Sequence, residues 1–204
     1  MDFHTQKKWD RAAGTFDIMA GRGPERRWRP AKEEFFAAMR EDANILFLAL
    51  GTGLDIAYFP ARRHITAIDI SPKMLEKAVR RVRTYDGSID VQLMDVHKMD
   101  FPKESFDQIF TSCTFCSVPD PVKGLRALYR VLKPGGELHM FEHTGSRLFP
   151  YNVMLHVMTL VSSAFGPDMD RPTVDNVRNA GFEIIRVHNL FLDVVKTIHA
   201  RRPF

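Results

Sequence analysis

The sequence predicts an α/β fold, a doubly wound and mostly parallel seven-stranded sheet that closes in a C-terminal antiparallel hairpin. Three observations predict it. Residues 45–50 are an unbroken apolar run that stops at Gly51, as a central parallel strand buried on both faces would read. From there to residue 142, strand-like runs alternate with helical patterns at short intervals. Residues 182–190 and 193–200 then form two strands with almost no linker, and strands joined so tightly run antiparallel because a parallel return needs a long crossover.

The elements are expected in this order. A helix over 4–19 is broken by Gly21, Gly23 and Pro24, and a second helix covers 31–39. The strand at 45–50 leads to a short helix at 55–58. Strand 64–70 feeds a long amphipathic helix at 72–84, and strand 89–94 follows. Strand 106–112, helix 122–132 and strand 137–142 complete the parallel part. Residues 151–165 read as a Met-rich apolar helix, and 173–180 as a short helix closed by Gly181 before the hairpin. No internal repeat or low-complexity tract interrupts this order.

Composition narrows the class. The 204 residues are 45% hydrophobic and 26% charged, which suits one soluble globular domain and excludes global disorder. Two cysteines, Cys113 and Cys116, exclude a secreted disulfide framework and point to a reducing cytoplasm. Lys7, Lys8 and Asp10 interrupt any leading apolar run, so no signal peptide is expected. No stretch approaches the roughly 20 apolar residues of a spanning helix. The net charge of +4 resides in residues 1–32, which hold eight Lys or Arg against four acids. Phe3, Trp9, Phe16 and Trp28 are interleaved there, a pattern suited to an anionic membrane surface. No nucleic-acid module is present, so no nucleic acid is expected as a partner.

Polar stations fall at strand ends, the edge where open α/β sheets bind ligands. The first strand runs into Ala49-Leu50-Gly51-Thr52-Gly53, where glycines let a ligand approach the backbone. The second ends in Asp69, sixteen residues after Gly53, a carboxylate placed to take both hydroxyls of a ribose. A dinucleotide fingerprint wants a third glycine where Ile56 stands, so that reading fails. The third strand ends in Asp95-Val96-His97, an acceptor beside backbone amides that can read an adenine edge or cap a turn.

These motifs, together with Ile68-Asp69-Ile70-Ser71-Pro72-Lys73-Met74-Leu75, Ser105-Phe106-Asp107 and Arg130-Val131-Leu132-Lys133-Pro134-Gly135-Gly136, resemble the class I S-adenosylmethionine-dependent methyltransferases over about residues 9–200. The resemblance implies a Rossmann-like fold, S-adenosylmethionine as cofactor and S-adenosylhomocysteine as product. It places Phe16, Ala49, Leu50, Gly51, Thr52, Gly53, Asp69, Ile70, Met74, Asp95, Val96, His97, Thr111 and Ser112 at the cofactor. Residues 9–17 resemble the cofactor-covering helix of quinone C-methyltransferases, with Phe16 where a tyrosine is usual. Two narrower groups look similar: membrane-associated thiol S-methyltransferases and bacterial phosphatidylethanolamine N-methyltransferases. Residues 1–40 are then a helical lid and membrane-contact segment, and 41–204 the catalytic domain. Two departures stand out. Phe47 replaces the acid usual in the first strand, and Ala49 replaces a glycine. Asp17 and Asp55 are candidates to serve the cofactor's methionine end instead.

Methyl transfer from a sulfonium needs a nucleophile placed in line in a dry site, and a base only if the acceptor must lose a proton. Glu142 and His143 stand at the end of the fifth strand as the catalytic candidates, His143 with a near-neutral pKa. His139 lies roughly 13 Å from His143 on a strand, so these two cannot share a metal. Cys113-x-x-Cys116 lacks the second pair of a structural zinc site and follows a strand rather than opening a helix, so neither zinc nor redox chemistry is expected and no metal is assigned. Trp9, Arg26, Arg27, Cys113, Met154 and Met158 are the candidate acceptor contacts. The Met-rich helix forms an adaptable apolar wall or else plain core packing, and Arg26, Arg27 and Arg29 can hold a lipid phosphate. The expected acceptor is a small lipophilic thiol or phospholipid amine, taken by a cytoplasmic enzyme peripheral to an anionic membrane. The alternatives are a phosphatidylethanolamine N-methyltransferase specifically, or a cofactor-binding regulatory protein without turnover.

Overall fold

The sheet follows from the apolar runs. Seven strands, β1 (Ile45–Leu48), β2 (His64–Asp69), β3 (Ser88–Leu93), β4 (Phe106–Ser112), β5 (Leu132–His143), β6 (Glu183–Phe191) and β7 (Val195–Arg201), lie in the order β3-β2-β1-β4-β5-β7-β6. The computed structural model describes residues 1–21, 23–162 and 167–204. The first five strands pair in parallel, and β7 runs antiparallel to both β5 and β6. The Rossmann-like sheet with its terminal hairpin is therefore as expected. The strand order reverses between β1 and β4, so the loops after β1, β2 and β4 open at the switch point where such sheets bind ligands.

The sequence caps its helices where the loops need them. In α4 (Pro72–Arg83), Ser71 Oγ accepts from the Met74 amide at 3.2 Å and Pro72 opens the first turn. In α5 (Pro121–Val131), Asp120 and Pro121 do the same. On one face, α5 and α7 (Thr173–Asn179) pack Leu125, Leu128 and Val177 on the sheet. On the other lie Phe35 and Phe36 of α3 (Gly23–Phe36), Ala78 of α4 and Leu155 of α6 (Tyr151–Ser162).

Three expectations are corrected, and one pair of alternatives is decided. The first helix ends early, giving α1 (Phe3–Ala12) and α2 (Phe16–Gly21). A helix ends at Gly21 as expected, but Gly23 and Pro24 at once open α3, because proline's missing N–H costs nothing in a first turn. The second helix therefore spans Gly23–Phe36 instead of 31–39. Strand β5 begins at Leu132, directly after α5, and its register to β4 slips between Leu132 and Glu137 so that Lys133–Gly136 bulge out. Gly135 is required in that bulge: its φ is +74° and a Cβ would meet the Phe204 ring at 2.6 Å. Finally, α6 is not core. Leu155 is buried, while Val153, Met154, Val157, Met158 and Leu160 are exposed. The last residues of the expected helix, 163–165 with Phe165, lie outside the described residues.

Candidate active site

Three loops at the carboxyl edge build the site. After β1 the chain turns through left-handed conformations at Ala49 (φ +59°), Gly51 (+58°) and Gly53 (+80°). No atom lies within 4 Å of the Cβ position at Gly51, so the backbone there faces open space. The buried Asp69 carboxylate ties this loop to the next. Its Oδ2 accepts from the Gly51 amide at 2.7 Å and its Oδ1 from the Ser71 amide at 2.8 Å. Burial raises its pKa. Behind it Met74 is buried and Ile70 half-buried. Asp95, also buried, accepts from the His97 amide at 2.9 Å and opens a 3-10 turn over Val96–Lys98, where Val96 is buried. Thus Asp95 caps a turn, and its other oxygen accepts from the Asp2 amide at 2.8 Å.

Helices α1 and α2 lie against all three loops. The Asp2 amide donates to Asp95 Oδ2 at 2.8 Å. Ser71 Oγ donates to Asp10 Oδ1 at 2.6 Å. Thr52 Oγ1 donates to Asp17 Oδ1 at 2.5 Å, while Arg81 of α4 reaches Asp17 Oδ2 at 3.0 Å and the Thr52 carbonyl at 2.8 Å. Trp9 and Phe16 meet edge to face at 6.1 Å. Leu50 is buried beneath the glycines. Phe47, where an acid was expected, is fully buried and packs on Phe36 and Phe59 at 6.0 and 5.0 Å. Its place is in an aromatic core, not a polar one.

The fourth and fifth strands supply the other end. Glu142 is fully buried, and its carboxylate accepts from Thr111 Oγ1 at 2.8 Å and from the Thr114 and Phe115 amides at 3.2 Å each. Burial raises its pKa to about 7. His143 is half-buried, its Nδ1 lacks a hydrogen-bond partner, and burial lowers its pKa, which favours the neutral imidazole. Beside it Cys113 takes a φ of +50° and its amide donates to the Phe141 carbonyl at 2.7 Å. Cys113 is exposed at the residue level, and the protein packed around its thiol together with the Glu142 charge raises its pKa, which disfavours the thiolate. Ser112 is half-buried at the strand end.

Known proteins show the family to which this chain belongs. The methyltransferase domain family matches residues 46–140. A ubiquinone/menaquinone biosynthesis C-methyltransferase of Geotalea daltonii is 28% identical, covering 94% of this chain and 96% of its own. A demethylmenaquinone methyltransferase of Clavibacter sepedonicus is 30% identical, covering 89% of this chain and 82% of its own. The chain belongs to the class I S-adenosylmethionine-dependent methyltransferases. The fold of a S-adenosylmethionine-dependent methyltransferase from Aquifex aeolicus agrees, with a TM-score of 0.67 at 19% identity over 95% of this chain and 98% of that one.

As a methyltransferase the chain takes S-adenosylmethionine as cofactor, and the loops fit it. The space over Gly51 admits a ligand against the backbone, while the buried Asp69 and Asp95 carboxylates are engaged within the protein, Asp69 by the Gly51 and Ser71 amides and Asp95 by the His97 and Asp2 amides. The remaining candidates are placed less centrally. The Thr111 hydroxyl is spent on Glu142. The His97 ring bonds the Asp120 carbonyl at 2.9 Å and lies 3.2 Å from Asp95. Arg26 is exposed on α3, Arg27 stacks over Phe191 at 4.5 Å, and Met154 and Met158 face outward. Sequence reasoning missed two pairs. Arg81 completes the clamp on Asp17, and Lys32 reaches Asp55 at 2.6 Å. Asp17 and Asp55 were legible as acids near the loop, but their basic partners lie on helices whose docking no local pattern reports.

Proposed function

We propose that this methyltransferase moves a methyl group onto a small lipophilic acceptor, a thiol or a phospholipid amine, taken up at a membrane surface. One observation carries the reading: α6 holds no charged residue and exposes most of its apolar side chains. The segment before it is tied to the hairpin tip, where Ser146 Oγ and the Arg147 amide donate to the Asp193 carboxylate at 2.5 and 2.6 Å. Phe149, Phe191 and Leu192 are exposed there, and Arg27 sits on Phe191. An exposed apolar surface with arginines at its rim suits a lipid interface. Val195 pairs with His143, so this surface adjoins the end of the sheet where the methyl is expected. Relatives named for ubiquinone/menaquinone biosynthesis and demethylmenaquinone fit an apolar acceptor as well.

In this reading Asp69 holds the ribose, Asp95 reads the adenine, and the loop from Ala49 to Gly53 lies along the amino-acid end. When bound, S-adenosylmethionine supplies an electrophilic methyl on a sulfonium. His143, neutral and with a buried Nδ1 that has no protein partner, is the group assigned to take the acceptor's proton once the acceptor is seated against it. Glu142 is a positioning residue, because both its oxygens are engaged by the loop after β4. Residues 1–40 act as the lid that excludes water, with Trp9 and Phe16 over the cofactor. Arg27 at that rim, with Arg26 and Arg29 on the same helix, favours phosphatidylethanolamine as the second reading, since arginines suit a phosphate. A screen with radiolabelled cofactor over alkyl thiols, phosphatidylethanolamine vesicles and quinols tests both. Label entering only water-soluble acceptors, at a rate indifferent to vesicles, would overturn the lipophilic assignment.

A further inference from the structure

Far from the cofactor loops, β5 and β7 bring two histidines and a glutamate together. His139 and His199 are cross-strand partners, and Glu137 lies two residues before His139 on the same face. Glu137 Oε2 lies 3.5 Å from His139 Nε2, and Glu137 Oε1 lies 3.5 Å from His199 Nε2. One ligand atom from each of the three falls within 4.8 Å of the others. Both Nε2 atoms are buried and make no hydrogen bond. His139 is only 8% exposed, and the Glu137 carboxylate at 3.5 Å is the group that faces each nitrogen.

The cluster is held from behind. His139 is stacked between Phe110 and His199, with ring centroids 4.5 Å away on each side. Glu137 is oriented by Gln108 Nε2 at 2.9 Å, and the buried Gln108 is fixed by the Ala38 carbonyl and the Arg40 amide. Such outer contacts are what a coordinating carboxylate requires. The cluster lines a concavity of about 420 Å³ under α3.

We propose that Glu137, His139 and His199 bind a first-row divalent transition metal, with zinc as its natural occupant. Two imidazoles and a carboxylate suit zinc and disfavour magnesium or calcium, which take all-oxygen sets. Ligands about 2.0–2.1 Å from a tetrahedral zinc stand about 3.3 Å apart; here one ligand atom from each residue lies within 4.8 Å of the others, so the three side chains close somewhat on the ion. The histidine rings are stacked, 11° from parallel with centroids 4.5 Å apart, so binding requires them to turn until both Nε2 lone pairs converge on the ion. Three protein ligands leave a position open to the concavity for water. Six residues of strand separate Glu137 from His143, roughly 20 Å, so the metal stands apart from the methyl-transfer end. Arg40 competes for it, its guanidinium lying 3.4 Å from Glu137 Oε2.

The test is a titration of the tag-free full chain with zinc chloride against a chromophoric chelator, with cobalt(II) absorption as a second readout. One equivalent per chain is expected, with a cobalt spectrum lacking thiolate charge transfer. His199→Gln and Glu137→Gln should each weaken binding by more than the roughly 10- to 100-fold of an outer-shell change. His199 is only half-buried, so its variant keeps the fold, which circular dichroism checks. Arg40→Ala should tighten binding, an effect that a purely structural histidine pair does not produce. Cys113→Ser and Cys116→Ser should leave zinc binding unchanged. Failure of the wild type to take up one equivalent, retention of affinity in His199→Gln, or loss of it in the cysteine variants overturns the proposal.

Discussion

Replacing Glu142 tests how the end of β5 is held. Its Oε1 accepts from the Thr111 hydroxyl and the Thr114 amide, and its Oε2 from the Phe115 amide. Glu142→Gln keeps one acceptor oxygen for the first two donors but turns an NH2 toward the Phe115 amide, so one buried donor is stranded at a cost of about 1–3 kcal/mol. Glu142→Ala strands all three donors and leaves a void, about 3–6 kcal/mol in all. That is a large share of the roughly 5–15 kcal/mol that stabilises a domain. The pH dependence supplies a second measurement. Burial raises the carboxyl from 4.5 to about 7 in the folded protein. Between those values the folded state holds a proton that the unfolded state has lost. This group's contribution is therefore greatest below pH 4.5 and declines as pH rises to about 7, by at most about 3 kcal/mol. Glutamine does not titrate, so the stability gap between wild type and Glu142→Gln should narrow as pH rises through that window. Urea unfolding across it measures both effects. A gap that stays constant with pH, or an alanine variant as stable as the glutamine one, would refute the reasoning.

Ala49→Gly should stabilise the fold by about 0.5–1 kcal/mol, the relief of a left-handed alanine less the added chain entropy, seen as a higher melting temperature. Asp69→Ala should lower cofactor affinity about 10- to 100-fold, because each charged hydrogen bond lost is worth about 1.5–3 kcal/mol; calorimetry showing unchanged affinity in a folded variant removes Asp69 from the site. Deleting residues 1–18 should weaken cofactor binding more than it weakens the fold, since α1 and α2 touch the loops rather than the sheet core; full-rate turnover by the truncated protein rules out a lid. Reversing Arg26, Arg27 and Arg29 to Glu should abolish salt-sensitive sedimentation with anionic vesicles and leave cofactor affinity intact, whereas equal binding to neutral vesicles points away from charge.

The stations at strand ends were legible because their signals are local. An apolar run ending in glycines, then Asp69 and Asp95 each closing a strand, needs only period and spacing to be read. The hairpin was legible from the shortness of its linker. What escaped depends on contacts across the fold. Gly23-Pro24 is compatible with a helix break and with a helix start, and the docking of Phe35 and Phe36 on the sheet selects the start. The exposure of α6 was invisible because an apolar helix in sequence looks the same against a core, a ligand or a lipid. His139 and His199 stand sixty residues apart, and only the pairing of β5 with β7 makes them neighbours.

Phe47 in the first strand leaves the glycine loop to be held by another element. In the first strand a carboxylate would order the glycine loop from beneath. Here the strand interior is aromatic, and a charge beside Phe36 and Phe59 would have no partner. The loop is instead held from above, by Asp17 on α2, with Arg81 bonding both Asp17 and the Thr52 carbonyl. The two arrangements are not equivalent. An acid in the strand is present whether or not the helices are docked, whereas Asp17 arrives with α2. Order in the cofactor loop is thereby coupled to docking of the N-terminal helices, and any ligand that favours the ordered loop also favours the docked state. Both groups of the Arg81–Asp17 pair are about one third exposed, so the ion pair itself adds little. Its effect lies in geometry. It sets the position of Thr52 between two glycines that would otherwise leave the backbone free to move.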